Sequence, residues 1–480
     1  MQWLKRLLSC AAALMMGLSS ASAEVRLLPQ LDVWSLTHYP LDITLSADVA
    51  VQMPFDETRT QQLNALMKHL TMRLRYQQLQ EEAWSGVAID VDGTTAVELL
   101  MRQGVSDAEL QLSSQPDRTY QVPADSDPAT LLLGEESTSV SFAGLDGSEI
   151  AWLTDAYDVI NGLNVALSPY GTEKSVKTAI DKMGTARTKT TYAVPAEDAA
   201  KLTDLLPGLC VAGELQSLLS SLTFSGKQQF VVYCAESGAI LKVTYSGKCG
   251  VDEEHLRTVT LSWSLRRDDD NTRDTFSLKS PAVKGTDRNT VTFTRVETAK
   301  ENGTVSLDAS FKHESVLDKV KNTVTATADL TSAPQDGGTL LTGEISIKHT
   351  PADEDDKTQL VLTPELTLAS SDDAPSIQGT VGVKTLAGSS LKRVTGQITV
   401  SVALQTGEYF DWELRETTVA LDALSETQLQ TVQQAAADAV ASDLIRPLVL
   451  LPYEDTLFLS ADLDEASWQT IVDAARDALE

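Results

Sequence analysis

Ile43, Leu45, Ala47, Val49, Val51 and Met53 alternate with polar residues without a break, the period of a strand with one buried face. Pro54 ends that run. Over Asp56–Gln80 the apolar residues Leu63, Leu66, Met67, Leu70 and Leu74 return at helical spacing, which predicts a helix. Val87, Ile89 and Val91 then lead through Asp92-Gly93, a hairpin dipeptide, into a strand over Thr95–Met101. Residues 105 to 145 continue as short strand-like pieces. Trp152–Leu167 and Pro195–Leu222 read as mainly helical, with a strand at Thr190–Val194 between them.

From Gln228 to Leu421 the chain is almost pure strand and turn. Val305, Leu307, Ala309 and Phe311 alternate with polar neighbours, as do Val324, Ala326, Ala328 and Leu330, and Leu360, Leu362, Leu366 and Leu368. Val394, Gly396, Ile398, Val400, Val402 and Leu404 form the longest such run. The connectors carry turn chemistry: Asp268-Asp269-Asp270-Asn271, Asn302-Gly303, Asp336-Gly337-Gly338, Asp353 to Asp356, and Asp372-Asp373. No helix of crossover length interrupts them, so neighbouring strands must pair antiparallel. This predicts a meander of about nine or ten strands with one apolar and one polar face. Outer-membrane barrels alternate similarly. Here, however, many apolar positions are Ala, Gly or Val, aromatic girdles are missing and helices flank both sides. The pattern therefore predicts a soluble sheet with a covered apolar face.

Beyond Val419-Ala420-Leu421, Ser425-Glu426-Thr427-Gln428 is a capping box. It opens a helix to about Leu444 with Leu429, Val432, Ala436, Ala439 and Val440 on one face, broken by Pro447 and Pro452. Leu457–Leu463 reads as a strand. Asp464 caps a last helix carrying Trp468, Ile471, Val472, Ala475 and Leu479. The fold class is thus α+β, a large antiparallel meandering sheet packed against a few amphipathic helices. Four segments follow: a signal peptide at 1–23, an N-terminal α+β domain at 24–187, a helix plus large sheet at 188–424, and a helix–strand–helix unit at 425–480 packing on the sheet.

The signal peptide is read from Lys5 and Arg6, the apolar stretch Leu7–Leu18 and the Ala21-Ser22-Ala23 cleavage pattern. That apolar stretch is shorter than the roughly 20 residues a spanning helix needs, and cleavage near Ala23 predicts an exported chain, extracellular or in the cell envelope. Loss of Lys5 and Arg6 takes the net charge from −30 to −32. Such a charge repels nucleic acid and anionic membrane surfaces. No later stretch approaches the length of a transmembrane helix. Three cysteines remain, Cys210, Cys234 and Cys249, so at most one internal disulfide forms. Cys234 with Cys249 is one pairing, and Cys210 with either is equally allowed.

Alternating strands turn into amphipathic helices through small or acidic caps at several places, for instance in TTYAVPAEDAAKLTDLLPG, Thr190–Gly208. Joined to a long antiparallel meander, that junction resembles the periplasmic lipoprotein-carrier and mycobacterial lipoprotein half-barrels, the LolA/LppX-like superfamily. The resemblance covers residues 188 to 424 and carries no motif whose residues transfer. It implies a sheet curled over a helix that holds acyl chains on a concave apolar face.

Catalytic patterns are missing from the sequence. His38, His69, His255, His313 and His349 are scattered, with no H-E-x-x-H or H-x-H arrangement. Ser389-Ser390-Leu391-Lys392 matches S-x-x-K without its partner motifs, and no G-x-S-x-G elbow occurs. Cys210 after Pro207-Gly208-Leu209 reads as a buried or bonded cysteine. The acidic turns are the remaining chemistry: Asp268, Asp269, Asp270 and Asp274, and Asp353, Asp355 and Asp356, offer oxygens that suit Ca²⁺, though not at EF-hand spacing. No other cofactor is expected. The reading is a non-enzymatic exported protein whose sheet binds a lipid or other hydrophobic ligand, or an envelope protein partner. The alternatives are a structural or interaction protein with no small ligand, and a secreted hydrolase.

Overall fold

The computed structural model describes residues 40–123, 132, 162 and 165–477, without 52–56, 80–81, 105, 181, 210–221, 251–255, 268–270, 282–287, 318–319, 337, 352–356, 372–373, 408–414 and 460–464. The N-terminal part carries β1 (Leu41–Val51), α1 (Glu57–Met67), β2 (Leu70–Leu79), β3 (Glu82–Val91), β4 (Thr94–Gln103), β5 (Asp107–Leu112) and β6 (Arg118–Pro123). Next come the hairpin β7 (Gly171–Ile180) and β8 (Gly184–Val194), then α2 (Lys201–Leu205). The meander follows as β9 (Thr223–Cys234), β10 (Ile240–Gly250), β11 (Arg257–Arg267), β12 (Asn271–Pro281), β13 (Arg288–Ala299) and β14 (Val305–Leu317). It continues as β15 (Val320–Gln335), β16 (Gly338–Thr350), β17 (Thr358–Ser371), β18 (Ala374–Ala387) and β19 (Arg393–Thr406). A short β20 (Thr417–Ala420) leads to α3 (Glu426–Val449), α4 (Tyr453–Thr456) and α5 (Glu465–Asp477).

All twenty strands among the described residues belong to one sheet. From β7 through β8 to β19 each strand pairs antiparallel with the next. β19 then pairs with β1, so the oldest strand of the chain sits against one of the newest, and β1 leads into β2 to β6. β20 adds to β6 in parallel, Thr417 opposite Arg118. The segments 24–187 and 188–424 therefore share one sheet, and their expected boundary falls inside β8.

Several expected elements change. The helix expected over Asp56–Gln80 stops at Met67, and Leu70–Leu79 is a strand. Leu70 and Leu74 fit a helical step of four, but with Met72 and Tyr76 they also fit a period of two, and pairing with β1 and β3 selects the strand. The helix opened by the Ser425 capping box runs through Pro447 to Val449. Pro447 sits in its last turn, where the chain already tightens to three-residue bonds such as Leu450 N–H to the Pro447 carbonyl, 3.3 Å. Residues 457–459, expected to open a strand, form a turn after α4, with the Leu459 N–H donating to the Thr456 carbonyl at 2.8 Å. The meander from β9 to β19 has eleven strands.

The turns follow their sequence signals. Asp92 and Gly93 have φ of 49° and 75° between β3 and β4, the backbone twist that suits a two-residue hairpin. Gly303 has φ 77° in the β13–β14 turn. Gly343 and Gly379, inside β16 and β18, have φ of 142° and 150°, and a Cβ there would lie 2.1 Å from the Asp329 and Glu365 carbonyl oxygens. Such glycines bend strands within a sheet.

Among the described residues, helices cover the apolar face toward the two ends of the strand order. At one end Ala199, Leu202 and Leu206 pack on Val194, Phe230 and Val243. At the other, Ala436 of α3 packs on Leu110, Leu112 and Tyr120, and Leu448 and Leu451 meet Leu66 and Val91. Trp468 and Val472 of α5 close on Val449. Among the described residues no helix is long and apolar enough to cross a membrane.

Candidate ligand-binding face

Residues directly opposite in an antiparallel ladder project to the same face. One such line runs Ala309, Ala328, Ile345, Leu362, Val383, Ile398 across β14 to β19. Its first three members are 1 % exposed and Leu362 is 8 % exposed, while Val383 and Ile398 are half-buried. The neighbouring line behaves alike, with Ala326, Ile347 and Leu360 buried and Phe293 and Phe311 half-buried on the β13 side. Among the described residues, the cluster containing these buried residues is built from strand residues alone. An apolar face without a helix across it is sealed in this way when the sheet curls and its side chains close on each other. Burial is deepest on β14–β17, the floor of this face, and falls off on β18–β1, its wall.

The opposite face is polar. Asp308, Lys312, Asp329, Glu344 and Glu365 are exposed on β14–β17. In a lipid-embedded barrel the outward band is apolar; here the apolar side is the sequestered one.

Among the described residues, the wall formed by β18, β19, β1 and β2 is an open part of the apolar face. Val381 and Val400 are half-buried, Val402 stands opposite Leu45, Leu45 stands opposite Met72, and Met72 is 40 % exposed. Residues 398 to 404 span about 20 Å along β19 at roughly 3.3 Å per residue.

A charged pair interrupts the apolar face on β13. Arg295 stands opposite Ala309 and Glu297 opposite Leu307, and the Arg295 Nη2 donates to Glu297 Oε2 at 2.5 Å with both side chains buried. Sequence reading missed this pair, because R-V-E looks like a polar face flanking an inward Val296. The signal was present: Val291 and Phe293 set the inward positions as odd, and Arg295 and Glu297 continue that series.

The β9–β10 ladder holds a second buried polar centre. Ser246 pairs with Gln229 but Lys248 pairs with Ser225, so residues 226–228 bulge opposite Gly247. Gln228 fills the bulge. Its Nε2 donates to the carbonyls of Ser225, Gly226 and Lys248 at 2.7, 3.1 and 3.2 Å, and its Oε1 accepts from the Tyr245 hydroxyl at 2.7 Å. Burial, with Cys249 beside it, holds the Tyr245 phenol protonated far above the usual tyrosine range. Burial likewise pushes the Cys249 thiol up.

Between α1 and β2, His69 stands between two carboxylates. Its Nδ1 is 2.6 Å from Asp92 Oδ1 and its Nε2 is 3.2 Å from Asp455 Oδ2. The hydrogen bond to Asp92 raises the imidazole above its ordinary range; partial burial lowers it, and the Asp455 contact raises it further. The carboxylates meet opposite nitrogens of the ring, so the three groups do not converge on one point. Among the described residues no three His, Cys, Asp or Glu side chains form a metal-holding group.

The structure brings few of the sequence candidates together. Asp268, Asp269, Asp270, Asp353, Asp355 and Asp356 lie outside the described residues, as do His38, His255 and Cys210. Asp274 falls on β12, opposite Leu265 and Arg295. Ser389 and Lys392 are exposed in the β18–β19 turn. His313 and His349 both stand opposite Val324, one strand to either side of it. Cys234 with Cys249 is not a pair: Cys234 lies opposite Ile240 and Cys249 opposite Phe224, at opposite ends of one hairpin. Ten residues of β9 separate those levels, roughly 30 Å, against a limit near 7 Å between Cα atoms for a disulfide.

No family model and no curated protein matches the chain. Among solved structures, outer-membrane expressed OmpT of Vibrio cholerae aligns over 77 % of this chain and 95 % of its own, at 9 % identity and a TM-score of 0.26. In-vitro folded OmpT of Vibrio cholerae, described as an outer membrane protein, aligns over 77 % and 96 % at 8 % identity and 0.27. Superposition that loose carries no argument, and the chain's fold rests on its own strand pairing.

Proposed function

We propose that this chain is an exported, non-enzymatic protein of the cell envelope or extracellular space that holds an amphiphile, its acyl chains lying along the apolar wall of β18, β19, β1 and β2. The observation that carries the reading is the gradient in burial along that face. Floor residues such as Ile345 and Ile347 are sealed, while Val383, Ile398, Val400, Val402 and Met72 keep surface open on the same side of the sheet. An acyl chain laid there gains about 0.8 kcal/mol per methylene removed from water, before the cost of immobilising it. The resemblance of residues 188 to 424 to the lipoprotein-carrier half-barrels supports the same use of a concave sheet, and the signal-like N-terminus supports export.

A structural or interaction protein is the second reading, favoured by how tightly the β14–β17 floor closes on itself. Native mass spectrometry with organic extraction of protein purified from its host separates the two. A bound amphiphile, lost on Val400→Asp and Val402→Asp while the protein stays folded, is the expected result. Protein free of any amphiphile, with vesicle lipid failing to load it, leaves the structural reading standing.

A further inference from the structure

We infer that His69, clamped between Asp92 and Asp455, is a pH-operated latch that holds the C-terminal segment around α4 onto the corner formed by α1, β2 and the β3–β4 turn. A neutral imidazole carries one N–H and one lone pair, so it can donate to one carboxylate only. Here both ring nitrogens lie within hydrogen-bonding distance of a carboxylate oxygen, at 2.6 and 3.2 Å. Only the imidazolium satisfies both, and on deprotonation one carboxylate faces a lone pair.

The two carboxylates belong to distant parts of the chain. Asp92 occupies the hairpin turn, whose N–H also donates to the His69 carbonyl at 2.9 Å, so that half of the clamp is fixed by backbone. Asp455 lies on α4, a helix of four residues. Besides His69, α4 and the turn after it reach α1 through Arg59, which donates to the Phe458 carbonyl at 3.4 Å and lies 5.8 Å from the Phe458 ring centroid. The other charged groups on these elements are Glu57 on α1, Lys68 beside His69, Arg73 with Asp90 at 3.5 Å and Arg75 with Glu98 at 3.7 Å on β2 and its neighbours, and Glu454 beside Asp455.

The direction is fixed by the protonated state. The stabilisation is complete below the free-histidine value and is lost as pH rises through the higher value His69 has in the folded chain. Release would uncover Leu448 and Leu451, which with Leu66 and Val91 close the apolar face at its β2–β3 end. The latch stands whether or not the sheet holds a ligand.

The test is hydrogen exchange of the full chain at about pH 6 and about pH 9, corrected for intrinsic rates, together with an NMR titration of His69. Protection over residues 448–459 should fall several-fold on going to the higher pH, with no matching change in β14–β17. His69→Gln and Asp455→Asn, both checked for native circular dichroism, should abolish the step. Asp455→Asn should also lower the His69 titration midpoint. An unchanged step in both variants, or His69 titrating at or below the free-histidine value, overturns the latch.

Discussion

Replacing Gln228 by Leu keeps most of the side-chain volume and removes every hydrogen bond that fills the β9–β10 bulge. The carbonyls of Ser225, Gly226 and Lys248 lose their donor, and the buried Tyr245 hydroxyl loses its acceptor. A buried polar group left unpaired costs about 1–3 kcal/mol, and water reaching the Gly226 side of the bulge reduces the sum. An expected loss of about 3–4 kcal/mol results, large against a total stability of order 10 kcal/mol. Tyr245→Phe alone should cost about 1 kcal/mol, since it strands the Gln228 Oε1 and removes the weaker contact with the Cys249 thiol. In the double variant that hydrogen bond is already gone, so the two losses should fall short of additivity by about 1 kcal/mol. Gly247→Ala offers an independent route to the same state. Its Cβ would sit 1.8 Å from Gln228 Oε1, which drives the carboxamide out of the bulge. Urea unfolding of the unsubstituted protein and the four variants, read by fluorescence with the slope m held common, supplies the numbers. Spectrophotometric titration adds a second signal, because Tyr245 should stay protonated at a pH where exposed tyrosines ionise. A Gln228→Leu loss under about 1 kcal/mol, or strict additivity with Tyr245→Phe, would refute the claim that this carboxamide satisfies the bulge.

Three further outcomes are expected. Glu297→Leu should destabilise by about 1–3 kcal/mol, because a buried guanidinium loses its hydrogen bond to this carboxylate; a loss as small as that of a surface substitution would place the pair in solvent. Ile345→Ala on the floor should cost about 2–5 kcal/mol, whereas Val400→Ala on the open wall should cost about 1 kcal/mol or less in ligand-free protein. Equal losses in chemical unfolding would remove the distinction between floor and wall. Non-reducing peptide mapping should find no Cys234–Cys249 link, and recovering that linked peptide from folded protein would contradict the hairpin register.

What was legible in the sequence was local. The run from Val305 to Leu404 shows its strands because period-two alternation and turn residues reinforce each other over a dozen residues at a time, and the Ser425 capping box marks its helix by a contact spanning three residues, the Gln428 Oε1 accepting from the Ser425 N–H at 3.0 Å. Leu70 and Leu74 failed because a spacing of four serves both periods, and only β1 and β3 decide between them. Phe458 was read as strand because its apolar neighbours alternate; its contact with Arg59, nearly four hundred residues earlier, belongs to a turn. The His69 clamp, the β1–β19 ladder and the parallel β6–β20 pairing are long-range by nature. Arg295 and Glu297 are the instructive case: charge suggested the exposed face, while the parity of Val291 and Phe293 already assigned them inward.

The pairing of β1 with β19 also sets a timetable for folding. The meander from β9 to β19 can zip hairpin by hairpin, each closure bridging a short loop. β1 cannot take its place until residues 393–406 exist and are ordered, some 340 residues after it was made. Until then one long edge of β1 and the free edge of β19 stay unpaired, each a template for a wrong strand. A chain of this topology is therefore slow to complete and most prone to aggregate just before its last strands dock, so truncation after β18 should leave two separate sheets, β1–β6 and β7–β18, with the β1 and β18 edges newly open.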